Sequence, residues 1–301
     1  MVNVSELQAR ANSVVWYHTL DLGHGVVTDG FCTSYLGEDE LPDFEGKTVL
    51  DIGAWDGYYS FLAERRGASR VVALDHYAWG VDFAKRNPYW VECFEKGVLP
   101  DHSLDTTEFW SPDLPGRRGF EIAHDAYNSS VEAVVGNFAT VDPPSLGTFD
   151  VVLFLGVLYH PKEPLTALEA VRRLTRGVAV IETEAVRLPG MSGWSGLEFT
   201  AGCYRGYDYS NWFAPTMEAL YELCRAAGFS KIAPLPGPPS TGLEHAAGVP
   251  RPSKRWRSEV RRVERAVGHG VRHFLRKPQP PATHGAGTPV HYRALVHAFA
   301  E

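Results

Sequence analysis

The sequence predicts an α/β fold, a mostly parallel sheet with helices on both faces. Two stretches carry the prediction. The first is Thr48–Ser60, where an apolar run from Val49 to Ile52 breaks at Gly53 and Gly57 and continues into the helix-like Phe61–Arg66. Strand, glycine turn and helix form the first half of a nucleotide-binding βαβ unit. The second is Phe149–His160, whose unbroken apolar run suits a strand buried on both faces of a parallel sheet. A third observation links them. The strand Arg70–Asp75 ends on a carboxylate 24 positions after Asp51, placed to accept hydrogen bonds from two ribose hydroxyls.

The turn has its own chemistry. A dinucleotide fingerprint reads G-x-G-x-x-G and sets a pyrophosphate on a helix N-terminus. Here the spacing is Asp51, Gly53, Gly57, with Asp56 inside the turn. A carboxylate is a poor neighbour for phosphate and suits a cationic ligand. The pattern resembles motif I of the class I S-adenosylmethionine-dependent methyltransferases. The cofactor set expected around it is Asp51, Gly53, Trp55, Asp56, Gly57, Tyr58, Asp75 and His76. An NAD-dependent enzyme is disfavoured because the pyrophosphate pattern is absent.

With 301 residues and 44% apolar composition, the chain can build one large core with insertions. A net charge of −7 argues against a generally basic nucleic-acid binder. The four cysteines form no C-x-x-C pair and read as reduced thiols of a cytoplasmic protein rather than a zinc site or disulfide framework. No apolar stretch reaches the ~18–20 residues of a membrane span. No signal peptide is expected from the first residues.

In chain order, 1–46 is expected to be a helical and lid segment. Ser5 can cap a helix running through Val14–Trp16. Trp16–Gly30 is dense in aromatics, histidine and glycine, a composition suited either to a lid over a pocket or to an extended arm. The methyltransferase-like core spans 47–232. Within it, His76–Asp113 reads as irregular because of its prolines, Gly116–Tyr127 as a helix, and Val131–Val135 as the third strand. Asn137 and Phe138 follow that strand, where an adenine edge and face are expected. The fourth strand ends at Gly156 and Tyr159-His160, and a helix follows over 164–175. Val178–Glu184 is the fifth strand and leaves Glu182 and Glu184 on one side. The loop 191–213 interleaves Trp194, Phe199, Tyr204, Tyr207, Tyr209 and Trp212 with Glu198, Arg205 and Asp208, which suits a polar ring-shaped acceptor. Pro215 opens a helix to about Ala227.

Residues 233–288 differ in kind. Ten of the 21 prolines lie between Pro234 and Pro289. Trp256, Val260, Val263, Val267, Val271 and Phe274 recur at helical spacing within a basic stretch. From Arg251 to Lys277 there are ten Lys/Arg and two Glu, a net of +8 that leaves −15 for the rest. Such a helix can meet RNA, an anionic surface, or the protein's own acidic body. The segment 289–301 reads as the last core strand.

Gly156-Val-Leu-Tyr-His160 with Pro164-Leu165, Asn211-Trp-Phe-Ala-Pro-Thr216 and Ala227-Gly-Phe229 narrow the resemblance. Together they are similar to the tRNA wobble-uridine 5-oxyacetate methyltransferases and their relatives, which methylate sugars and other small molecules. The resemblance implies a Rossmann-like, mostly parallel seven-stranded sheet with one antiparallel strand near its end. In the carboxymethyl-transferring branch, a Lys, a Tyr and an Arg hold the extra carboxylate of carboxy-S-adenosylmethionine. Tyr159 and Arg293 stand at matching places. The Lys has no counterpart, the nearest match being Trp16-Tyr17-His18, so ordinary S-adenosylmethionine is the expected cofactor.

The expected catalytic residues are His160 as base, Tyr159 and Glu182. Substrate contacts are expected from His18, Glu198, Tyr204, Trp212 and Arg293. Glu182, Glu184 and Glu198 can position sugar hydroxyls or a divalent ion, yet no spacing indicates a metal site. The leading expectation is an O-methyltransferase acting on a hydroxyl of a sugar, glycan or secondary metabolite. The alternatives are a tRNA wobble-uridine methyl- or carboxymethyltransferase that uses the basic helix to hold RNA, and a non-catalytic S-adenosylmethionine-binding regulator.

Overall fold

The computed structural model describes residues 3–32, 35–141, 143–191, 193–200, 208–235 and 290–300. The N-terminal helix α1 (Val4–Asn12) precedes β1 (Thr48–Ile52), α2 (Tyr58–Arg65) and β2 (Arg70–Asp75). Then come α3 (Tyr77–Gly80), α4 (Phe83–Lys96), α5 (Arg118–Tyr127), β3 (Glu132–Val135), α6 (Pro143–Leu146), β4 (Phe149–Leu155) and α7 (Pro164–Leu174). The chain continues through β5 (Thr175–Arg187), a small hairpin of β6 (Leu197–Phe199) and β7 (Phe213–Pro215), α8 (Met217–Ala226), β8 (Lys231–Leu235) and β9 (Val290–Phe299).

Seven strands form one sheet in the order β3-β2-β1-β4-β5-β9-β8. The first five run parallel, and β9 runs antiparallel to both of its neighbours. The expected sheet is therefore the one observed. Central strands are mostly apolar because both faces are covered. Val49, Val71, Ala73, Val151 and Leu153 pack with α1, α2 and α5 on one face. Leu50, Ile52, Val72, Val152 and Phe154 pack with α7 and α8 on the other. Alternation along each strand divides one apolar run between two cores.

Several local expectations are corrected. Asn3, not Ser5, caps α1, accepting from Glu6 N at 3.2 Å, and the helix stops at Asn12. The segment 76–113 is not irregular: α4 holds Pro88 within it, because Asp82 caps its start and Trp90 and Cys93 are buried along it. The third strand and the fifth helix each begin one or two residues later than expected. Pro215 ends β7, and Thr216 caps α8 by accepting from Ala219 N. The fifth strand runs to Arg187 because β9 pairs with it from Val178 to Arg187. The core extends beyond residue 232, since β8 continues to Leu235 at the sheet edge. Tyr204, the expected basic helix and the rest of the Pro-rich stretch lie outside the described residues. No helix among the described residues is long and apolar enough to cross a membrane.

Candidate active site

The carboxyl ends of β1, β2 and β4 meet at the glycine turn, where ligands bind in open α/β sheets. Gly53 has φ +78°, and a Cβ there would stand 2.6 Å from Val157 Cγ2. Only glycine fits so close to the neighbouring loop. Trp55 follows with φ 47° and donates its amide to Asp75 Oδ2 at 3.0 Å. Asp75 Oδ1 accepts from Ala78 N at 2.9 Å. Burial pushes the Asp75 carboxyl up to about 6 despite these amides. Asp51, which accepts from the Ser60 hydroxyl at 2.6 Å, is likewise raised by burial to about 6. Beyond β2, the His76 ring stacks on Trp110 at 4.5 Å.

Asp56 is 1% exposed and is taken up by the chain itself. Its Oδ2 accepts from Tyr17 N at 3.0 Å and His18 N at 2.6 Å, while Oδ1 lies 2.6 Å from His18 Nδ1. Both residues thus have partners within the chain. The carboxylate expected to meet a cationic ligand fastens the N-terminal segment, and His18, expected at the substrate, is its buried partner. The physical reason is local charge: a buried carboxylate needs donors, and two amides and an imidazole supply them. Tyr17 then stacks on Trp55 at 4.5 Å and 12° between planes, and Tyr58 stacks on His18 at 5.0 Å. The aromatic residues of 16–32 thus lie across the glycine turn.

At the opposite side, β4 ends in Gly156 with φ +72°, whose amide donates to Glu182 O at 3.0 Å. Register places Arg293 of β9 directly across from Glu184 of β5. The Arg293 guanidinium makes a two-pronged contact with the Glu182 carboxylate through Nε and Nη2. Its Nη1 lies 3.2 Å from Glu184 Oε1 and 3.3 Å from the Tyr159 hydroxyl. Burial works against the Arg293 charge, but Glu182, Tyr159 and Glu184 outweigh it and lift the pKa above its ordinary range. Burial raises the Glu182 carboxyl, with Arg293 opposing. Arg293 contacts both carboxylates and the tyrosine and so joins Tyr159, Glu182 and Glu184 in one cluster.

His160 keeps a solvent-facing edge, and its Nδ1 donates to Ser210 O at 2.9 Å. That bond leaves Nε2 as the acceptor nitrogen. Desolvation lowers its pKa, partly offset by Asp208 and the Ser210 carbonyl. Trp212 donates its amide to Tyr159 O at 2.8 Å, and Lys162 Nζ sits 4.7 Å above its ring. Glu198 pairs with His291 rather than standing open. Asn137 Oδ1 accepts from Ala139 N at 3.0 Å and so caps its own turn, while the Phe138 ring packs 5.2 Å from Phe154. Among the described residues, no group of three His, Cys, Asp or Glu side chains can hold a metal.

Residue-level reading missed Trp79 and Trp110, and named Tyr17 only as part of the nearest match to the absent Lys. Trp79 Nε1 donates to Trp55 O at 2.6 Å and ties α3 to the turn. The only sequence signal for these was aromatic density.

Comparisons with known proteins agree with this architecture. The curated relatives include tRNA U34 carboxymethyltransferases. That of Pseudomonas syringae pv. tomato (strain ATCC BAA-871 / DC3000) is 28% identical over 193 residues, covering 63% of this chain and 47% of its own. That of Helicobacter pylori (strain G27) is 27% identical over 192 residues, covering 62% and 57%. The chain thus spans about half the length of the curated relatives it matches. Among solved structures, the N-terminal domain of EvdMO1 in the presence of SAH and D-fucose aligns with a TM-score of 0.54 at 16% identity, covering 100% of this chain and 98% of that one. The same domain with SAH bound gives 0.53 at 18% identity, covering 78% and 91%. At these identities the likeness is one of fold. The methyltransferase domain family matches residues 33–233, two thirds of the sequence, and the chain belongs to that family.

Proposed function

We propose that the chain is an S-adenosylmethionine-dependent O-methyltransferase acting on a hydroxyl of a sugar, glycan or secondary metabolite. When bound, the cofactor supplies a methyl group already activated on a sulfonium. The residues at the turn fit it. Gly53 is a position where a side chain would close the gap to Val157. Asp75 Oδ1 accepts the Ala78 and Trp79 amides, while Oδ2 accepts only the Trp55 amide and retains a lone pair for a ribose hydroxyl. In this reading the base lies near Phe138 and His76, which follow β3 and β2, and Tyr17 stacks on Trp55 of the turn.

The single observation that carries the choice of donor is the Arg293–Glu182 contact, with Glu184 beside it. The family resemblance implies that an arginine here takes the extra carboxylate of a carboxylated donor. In this chain two carboxylates already face that guanidinium, and a third would meet net negative charge in a buried corner. Ordinary S-adenosylmethionine is the donor this favours. The remaining task is alignment and proton removal. His160, with Nε2 as acceptor, is the base; such a group contributes ~10²–10⁴-fold. The sugar class is supported by the EvdMO1 domain crystallised with D-fucose. The names of the curated relatives favour a second reading, tRNA modification.

Transfer of label from S-adenosylmethionine into a cell extract, fractionated into RNA and small-molecule or glycan pools, separates the two. Label in the glycan or small-molecule pool, reduced at least ~10²-fold by His160→Ala, is the expected result. Nuclease-sensitive label in RNA would establish the second reading. Cofactor binding with no label in any pool would point to a regulator.

A further inference from the structure

The segment between β2 and β3 carries an unexplained group of polar atoms. Trp90 Nε1, His102 Nε2 and Asp105 Oδ1 are buried and have no hydrogen-bond partner. Buried polar groups in native proteins are nearly always satisfied, so three together ask for a ligand or for water. They form one cluster. The His102 and Trp90 rings are 5.7 Å apart, and His102 Nδ1 is 3.7 Å from Asp105 Oδ2. The Asp105 side chain is 7% exposed and Trp90 is 1% exposed.

The cluster is held from behind. Arg86 Nη1 donates to the Tyr77 hydroxyl at 2.6 Å, and that hydroxyl donates to Asp105 Oδ2 at 2.9 Å. The Arg86 guanidinium also lies 3.8 Å from the centre of the Trp90 ring. One carboxylate oxygen is therefore committed to the scaffold and the other is left over. On the remaining side, Tyr209 packs 5.9 Å from Trp90, and the Trp212 ring lies 5.0 Å from His102. Trp212 is the residue bonded to Tyr159 O, which places the cluster at the C-terminal end of β4 beside Tyr159 and His160.

The chemistry selects among ligands. Asp105 Oδ1 is an acceptor, the Trp90 indole is a donor, and His102 Nε2 serves as either. Donor, acceptor and aromatic faces together match a hydroxylated ring, whose hydroxyls need both partners and whose C–H face lies on an indole. A phosphate is disfavoured by the carboxylate, a metal by the indole N–H, and an apolar metabolite by three unmet polar atoms. We infer that Trp90, His102 and Asp105 form the subsite that binds the hydroxylated ring of the acceptor against Trp212. This deepens the proposed function and rests on its assignment of a sugar-like acceptor.

The test uses the full chain saturated with S-adenosylhomocysteine. D-fucose, D-glucose, D-galactose and D-mannose are titrated separately, with saturation-transfer NMR and tryptophan fluorescence as readouts. Wild type is expected to bind at least one sugar, and Trp90→Phe and Asp105→Asn to bind it about tenfold more weakly, with S-adenosylhomocysteine affinity unchanged as the control for folding. Equal sugar affinity in both variants would mean that water alone satisfies the three atoms and would overturn the inference. Failure of wild type to bind any of the four sugars would overturn it too. Failure of the functional reading is distinct: label would enter RNA or no pool while sugar binding still depended on Trp90 and Asp105.

Discussion

Two buried carboxylates flank the site, and they are satisfied in opposite ways. Asp56 is met by amides and an imidazole from Tyr17 and His18, groups delivered by a strap of nearby chain. Glu182 is met by a guanidinium 111 residues away in sequence, delivered by the antiparallel strand β9. The first arrangement involves uncharged amides that any backbone offers. The second joins full charges, and its value depends on the register of two strands. The glycine-turn side is therefore built from groups that tolerate sequence change, and the β5–β9 side from a pair that loses most when one member is removed.

The largest effect is expected on the second side. Glu182→Ala leaves Arg293 buried with one carboxylate fewer and is expected to cost ~3–5 kcal/mol in denaturant unfolding. A loss below ~1 kcal/mol would show that Glu184 alone serves Arg293, and would erase the contrast between the two sides. Asp56→Ala comes next. It strips two amides and His18 of a charged acceptor and is expected to cost ~2–3 kcal/mol, with faster proteolysis within residues 17–32. Unchanged proteolysis there would mean that the aromatic stacking of Tyr17 on Trp55, not Asp56, fastens the strap.

The smallest effect is on ligand affinity, and it depends on pH. The carboxyls of Asp51 and Asp75 are raised from 3.8 to about 6 in the folded protein. Between these values the native state holds protons that the unfolded chain has released. These two groups therefore lower stability as pH rises from near 4 toward 6, and their effect is constant above that. Ribose binding through an ionised Asp75 runs the other way. Affinity for S-adenosylhomocysteine, followed by calorimetry, is expected to be about tenfold weaker at pH 5 than at pH 7. A flat profile would remove Asp75 from that role and leave the glycine-turn side without its ligand carboxylate.

How much of this was legible depended on range. β1, β2 and β4 were readable because a strand buried on both faces is apolar along most of its length. The turn was readable because Gly53 and Gly57 need backbone conformations that few other residues adopt. The segment carrying α4 was misread because Pro88 outweighed the signal of an Asp82 cap and a buried Trp90. The partners of Asp56 were not legible because two of the three are backbone amides, which leave no mark in a sequence. His102 and Asp105 were passed over because a His-x-x-Asp spacing is common and nothing in it announces that a carboxylate oxygen will be left unmatched.

The sequence by itself determined the parallel core, the glycine turn and the carboxylate ending β2, since each follows from local periodicity and local backbone freedom. Only the tertiary structure decided which charges are already spent. Arg293 could face an incoming carboxylate or a resident one, and Asp56 a ligand or the chain. Those outcomes depend on which distant strand and which loop arrive beside a buried charge, because a charge taken out of water accepts whichever partner the fold brings within reach.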